Sequence, residues 1–333
     1  MLETEKPLVS LFMVCYNHAR FVYKALESAR KQTYQNIELI ILDDCSSDRS
    51  VEIIENWIVE HQVNCKFIKH PTNVGVVRSL NECIRISSGK FVSFFAADDC
   101  IFNNKTELLL KYLISSAEDV GLAYGDLEVI DAEGKQTKAS FYDWCLEGTP
   151  PAEGYIFESY LARNSVHILG AIIRREVYDK VGYYDEELMY EDWDMGMRMA
   201  RKFKFLYVPE IVGAYRKFDG QMTDVYWTDK EKYKKILSSD FRMFSKHLDL
   251  VILRERITAK LSEIFMTQVE EGFLNWQKKI TTSFFLVRQF PKNYNYWVMF
   301  FGSILNQTLF TYRIFRRILV LATQYGKKGN QNI

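Results

Sequence analysis

No glycine precedes Gly75 in this chain of 333 residues. A turn that brings backbone against a dinucleotide needs a GxGxxG run after the first strand, and a P-loop needs glycines whose N–H groups cradle phosphate. The stretch CYNHARF after the first apolar run has neither. Dinucleotide-dependent redox chemistry and P-loop ATPase chemistry are therefore excluded, and a sugar nucleotidyltransferase would also need a glycine-rich basic loop here. Cysteine is sparse: Cys15, Cys45, Cys65, Cys83, Cys100 and Cys145 show no CxxC pair and no zinc-finger spacing. They read as small hydrophobes in a reduced, cytosolic protein. An excess of either charge is missing too, since Lys+Arg and Asp+Glu are 43 each. Nothing in the overall charge draws the chain to nucleic acid, and no nucleic-acid partner is expected. MLETEKPLVS lacks a basic segment followed by a long apolar run, so no signal peptide is expected and the localisation reads as cytoplasmic.

What is present is an alternation of strand and helix. VSLFMVC (Val9 to Cys15) is a continuous apolar run, after which Phe21, Ala25, Leu26 and Ala29 fall at helical spacing. IELIILDD and then SSDRSVEIIENWI repeat the unit, with Ser and Asp as N-cap candidates. CKFIKH, the loop PTNVG and a helix through Leu80, Cys83 and Ile84 follow, then FVSFFA, a helix around Leu108 to Leu113, and VGLAYGDLEVI. A βαβ series of this kind predicts an α/β domain with a mostly parallel sheet covered by helices.

Ligands of such sheets bind beyond the carboxyl ends of the strands. Three strands end in polar or acidic residues, at Tyr16-Asn17, Asp43-Asp44 and Asp98-Asp99. One aspartate alone would read as a helix cap, but three such ends point to a site. Two adjacent carboxylates repel by about 4 kcal/mol at about 4 Å and an effective dielectric of about 20. A cation is the expected partner, and all-oxygen ligation suits Mg2+ or Mn2+ shared with a diphosphate. A second acidic cluster, Glu191, Asp192 and Asp194, opens an expected helix in YEDWDMGMR. Helix-dipole capping and a general base are both open there.

In their order and spacing, PLVSLFMVCYNHARFVYKALESARKQTYQNIELIILDDCSSDRS, TNVGVVRSLNECIRISSGKFVSFFAADD, GAIIRREVYDKVGYYDE and YEDWDMGMR resemble the family 2 glycosyltransferases of GT-A fold. The resemblance runs over roughly residues 7 to 217. It implies inverting transfer from a nucleotide-diphosphate sugar donor to a hydroxyl acceptor, a glycan or lipid-linked glycan of surface polysaccharide synthesis. By position it implies Tyr16 at the base, Asp43 and Asp44 at base and ribose, Val14 contributing backbone, and Arg78 near the diphosphate. Asp98 and Asp99 match the metal and ribose motif, with Asp99 favoured as metal ligand, and Asp192 matches the catalytic base, with Glu191 beside it. Two positions depart from the family. Ala96 stands where many relatives carry a further Asp, so both carboxylates stay candidates for the metal. Phe218 stands where relatives often carry a His, so Asp219 or the pair Arg216 and Lys217 takes over, or the closing loop holds the donor less.

The expected division is a catalytic domain over about 1–220, with donor and acceptor halves meeting near residue 100, and a helical region over about 221–333. Arg313, Arg316 and Arg317 oppose a membrane span in the apolar C-terminal stretch, at about 2.5–3.5 kcal/mol each near a bilayer centre. Helices packed on the catalytic domain or on a second subunit are one reading of this stretch. The other is a basic amphipathic helix within 296–328, lying on the inner face of the cell membrane with Phe310, Ile314, Phe315, Ile318 and Leu321 down. A non-catalytic nucleotide-sugar-binding scaffold or regulatory subunit is the alternative function, which two intact acidic clusters disfavour.

Overall fold

The structure, a computed structural model, describes residues 6–146, 151–164, 166–189, 192–221, 229–289 and 296. The chain divides into two compact units, Met1–Met222 and Thr223–Ile333.

In the first unit β1 (Val9–Cys15) is buried at every position and pairs in parallel with β2 (Ile37–Asp43) on one side and β4 (Phe91–Ala96) on the other. A strand covered on both faces has no reason to alternate polar and apolar residues, which is why the run is continuous. β3 (Cys65–Lys69) extends the sheet beyond β2. Helix α1 (Val22–Arg30) buries Val22, Ala25, Leu26 and Ala29, and α2 (Ser50–His61) inserts Ile54 and Trp57 into the same core. The Trp57 indole N–H donates to Glu27 Oε1 at 3.0 Å, so the ring is buried with its polar edge satisfied. Helices α3 (Val76–Ile86) and α4 (Lys105–Ser115) complete the crossovers on either side of β4. Gly75, at φ +91°, makes the turn into α3 in a conformation that side-chain-bearing residues rarely adopt.

Beyond β4 the sheet becomes mixed. β8 (Ala171–Arg174) runs antiparallel between β4 and β6 (Val120–Ile130). β9 (Lys204–Arg216) pairs in parallel with β6, and β5 (Cys100–Ile101) lies against β9. β7 (Gln136–Lys138) hangs on β6, and the order is β3-β2-β1-β4-β8-β6-β9-β5. Chain order therefore reverses between β1 and β4, the position at which open α/β sheets form ligand crevices. Cys15 lies opposite Asp43 and Val14 opposite Ala96. Because β8 is antiparallel, its first residue comes to the same edge, and Ser93 Oγ donates to the Ala171 carbonyl at 2.8 Å. Short helices α5 (Phe141–Leu146), α6 (Phe157–Ala162) and α7 (Glu176–Val181) surround this half, and α8 (Asp192–Ala200) packs Met195 and Met199 inward.

The second unit holds helices Lys230–Ser245, Arg254–Glu270 and Trp276–Gln289. Asp229 caps the first by accepting from the N–H groups of Glu231 and Lys232. Among the described residues no helix is long and apolar enough to cross a membrane. The amphipathic stretch expected within 296–328 lies outside the described residues, apart from Tyr296.

Candidate functional site

The loops after β1 and β2 lock together. Asn17, at φ 58°, uses its side-chain oxygen to accept from the N–H of Ser47 at 2.8 Å, and its own N–H donates to Ser46 Oγ at 2.9 Å. The N–H groups of His18 and Ala19 donate to Ser50 Oγ and Asp48 Oδ2, each at 2.9 Å. Tyr16 stands out of this clasp, 46% exposed. The two acids that end β2 are committed inward. Asp43 accepts from the N–H and Oγ of Ser46 at 2.8 and 2.6 Å. Asp44 accepts from the N–H groups of Val74 and Gly75 at 2.9 and 2.8 Å and pairs with His70 Nδ1 at 2.8 Å. Both carboxylates are buried and are satisfied by protein donors, the usual condition for burying such groups. His70 also meets Glu82 through Nε2 at 3.0 Å. Burial opposes its charge, but the two carboxylates prevail and raise its pKa above the ordinary value.

The acids after β4 differ from each other. Asp99 is 4% exposed, and its Oδ1 accepts from the Arg216 N–H at 2.8 Å. Burial, and then the neighbouring Asp98 charge, hold its pKa well above the carboxylate range. Asp98 is half-buried, and among the described residues no donor reaches its carboxylate; its carbonyl accepts from Arg216 Nε at 2.7 Å. The Arg216 guanidinium is 1% exposed and also bonds the carbonyls of Asp131 and Ala132 at 2.8 and 3.3 Å. It lies over Phe21 at 4.8 Å, and Phe218 packs on that same ring at 4.8 Å. Among the described residues no group of three or more His, Cys, Asp and Glu could hold a metal ion. Asp98 and the remaining Asp99 oxygen fit a cation that takes its other ligands from phosphate and water, the usual way Mg2+ is held.

Asp192 opens α8. Its Oδ2 accepts from Asn164 Nδ2 at 2.7 Å and its Oδ1 from the Trp193 N–H at 2.8 Å. Burial raises its pKa, against the pull of those two donors. It lines a cavity of about 20 Å³ with Ile168 and Ala171. Tyr160 packs into the same cavity over Gly196, where a Cβ would stand 2.3 Å from the ring. Arg78 is 61% exposed on α3 and pairs with Glu186 at 3.2 Å, a surface contact that other anions can displace. Val14 sits inside the ladder between Leu42 and Ala96. Glu191 lies outside the described residues. The sequence reasoning did not find Asn164 or His70. Only the position of His70 at the end of a strand could have signalled it, and nothing near Asn164 marks it as a partner of Asp192.

The model of the family described as Glycosyl transferase family 2 matches residues 10–182. An uncharacterised glycosyltransferase of Rickettsia typhi is 26% identical over 279 residues, covering 82% of this chain and 83% of its own length. One of Haemophilus influenzae is 35% identical over 170 residues, 51% of this chain and 63% of that relative. Among solved structures, S. aureus TarS 1-349 in complex with UDP-GlcNAc superposes with a TM-score of 0.59 at 17% identity, over 78% of this chain and 72% of that one. A mannosyltransferase from Pyrobaculum calidifontis in complex with GDP-Man and Mn2+ gives 0.53 at 16% identity, over 91% and 86%. The mixed sheet with its helices is of GT-A type. With the family model covering more than half of the chain, this protein belongs to glycosyl transferase family 2.

Proposed function

We propose that the chain transfers a sugar, with inversion, from a nucleotide-diphosphate donor to a hydroxyl of a glycan or lipid-linked glycan in surface polysaccharide synthesis. The contrast between committed and uncommitted carboxylates carries the reading. At the crevice Asp43, Asp44 and Asp99 bond internal donors, whereas Asp98 is left for a ligand. Asp192 is held by one amide and one backbone N–H, in surroundings that raise its affinity for a proton.

Tyr16 offers an exposed ring to the base, and Val14, Asp43 and Asp44 frame the nucleoside end. Arg78 leaves Glu186 for the diphosphate. Asp98, with Asp99, would hold Mn2+ or Mg2+, which when bound neutralises charge on the leaving diphosphate. Asp192 takes the proton of the acceptor hydroxyl as that oxygen attacks the anomeric carbon from the face opposite the leaving group, with Glu191 beside it. Action at the inner face of the cell membrane through 296–328 fits a lipid-linked acceptor.

A thermal-shift screen of nucleotide sugars with Mn2+, followed by donor turnover, tests this. The wild type should be stabilised by one donor and consume it. Asp192→Asn should keep the stabilisation and lose about 10²–10⁴-fold in turnover. An Asn variant as active as the wild type sinks the base assignment. A donor that binds without turnover, tried with a range of acceptors, would favour the non-catalytic scaffold.

A further inference from the structure

We propose that Arg216 and Asp99 form a positioning pair that presents the Asp98 carboxylate to the donor's diphosphate and its cation, so that Arg216 is not itself a diphosphate ligand. The inference rests on the functional reading above and assigns the work within that site.

Three donor groups of Arg216 are engaged within the protein. Its backbone N–H is spent on Asp99 Oδ1 at 2.8 Å, its Nε on the Asp98 carbonyl at 2.7 Å, and its Nη1 on the carbonyls of Asp131 and Ala132 at 2.8 and 3.3 Å. A guanidinium that bonds three carbonyls from two chain segments fixes those segments to each other. Its planar fork makes it suited to that task, and lysine cannot reproduce the geometry. Phe21, at the start of α1, covers the guanidinium and is packed in turn by Phe218. Gln221 Nε2 bonds the Arg216 carbonyl at 2.7 Å. The end of β4, the end of β9, the 131–134 turn and the start of α1 therefore meet at one buried side chain that is 1% exposed.

Asp98 and Asp99 are consecutive, so fixing the carbonyl of the first and the carboxylate of the second leaves little freedom between them. The side chain of Asp98 is the group this arrangement leaves without a protein donor among the described residues. Sequence reasoning favoured Asp99 for the cation; its burial and its bond to Arg216 shift that role toward Asp98. Phe218, half-buried, packs on Phe21 and helps to hold the frame.

Binding of Mn2+ to the full-length chain in saturating UDP, and in parallel GDP, read by the EPR signal of free Mn2+, tests the pair without recourse to turnover. Asp98→Asn should weaken Mn2+ binding about 100-fold, whereas Asp99→Asn, which keeps an oxygen for the Arg216 N–H, should weaken it only about 10-fold. Arg216→Lys should weaken Mn2+ binding about 10-fold and leave metal-free nucleotide affinity unchanged. Should Arg216→Lys fail to fold, Phe21→Leu, which thins the cover over the guanidinium, should give a smaller loss in the same direction. An Asp99→Asn loss equal to that of Asp98→Asn overturns the pair. So does an Arg216→Lys variant that matches the wild type, or one that loses metal-free nucleotide affinity as a direct ligand would. If the wild type binds neither nucleotide nor nucleotide sugar, the functional reading falls; wild-type binding with an unaltered Arg216→Lys removes only the pair.

Discussion

Lys105, the first residue of α4, is 1% exposed, and its Nζ donates to Ser93 Oγ at 2.8 Å. Burial pushes its pKa from the ordinary 10.5 down to about 7. The folded state thus disfavours a proton that the unfolded chain holds until about pH 10.4. The cost is full below pH 7, shrinks as pH rises, and is gone near pH 10.4, so this group makes the fold more stable with rising pH. From 10.5 to about 7, at about 1.4 kcal/mol per pH unit, the swing is about 5 kcal/mol. Lys105→Met keeps the bulk, removes the charge and forfeits one hydrogen bond worth about 1 kcal/mol. At pH 6 the variant should be more stable by about 4 kcal/mol, and at pH 10 slightly less stable than the wild type. For a unit of this size that is about 12 °C in Tm at pH 6. Thermal melts of both proteins from pH 6 to pH 10 give the difference directly, because other titrating groups cancel. A difference that does not change with pH refutes the reasoning.

Two further perturbations probe the site's surroundings. Gly196→Ala gains about 1 kcal/mol of helix propensity but drives a Cβ to 2.3 Å from the buried Tyr160 ring. Overpacking costs about 1–3 kcal/mol, so a net loss of up to about 2 kcal/mol and a lower Tm are expected, and a higher Tm would contradict the packing. For His70 the raised folded-state pKa means its contribution is complete below about pH 6.5 and is lost as pH rises through the folded value. His70→Gln should therefore flatten the wild type's loss of stability above pH 6.5 in denaturant titrations, and parallel curves would rule this out.

The strand–helix series was legible because buried strands read as unbroken apolar runs, and β1, β2 and β4 appear where VSLFMVC, IELIILDD and FVSFFA stand. Their parallel pairing follows from the crossover helices. The antiparallel entry of β8 was not legible, since nothing in AIIR fixes its direction. At the site, sequence could count carboxylates but could not say which were already bonded. Asp44 is engaged by donors 26 to 31 residues away, a relation that no local pattern encodes. Asn164 reaches Asp192 across 28 residues. Without glycine in the first two βα turns, Asn17 at φ 58° and Cys45 at φ 66° take up the left-handed conformations that glycine often fills.

The clasp between the loops after β1 and β2 has a consequence for how strongly a nucleotide can be held. Its bonds run between Asn17, His18 and Ala19 on one side and Ser46, Ser47, Asp48 and Ser50 on the other, none of them needing a ligand. Ordering a loop on binding takes back part of the interaction energy, at about 0.5–1.5 kcal/mol for each side chain immobilised. Loops frozen before the nucleoside arrives spare it that loss. Affinity at the nucleoside end can then rest on few contacts, and loosening the clasp by Asn17→Ala would show first as faster nucleotide release.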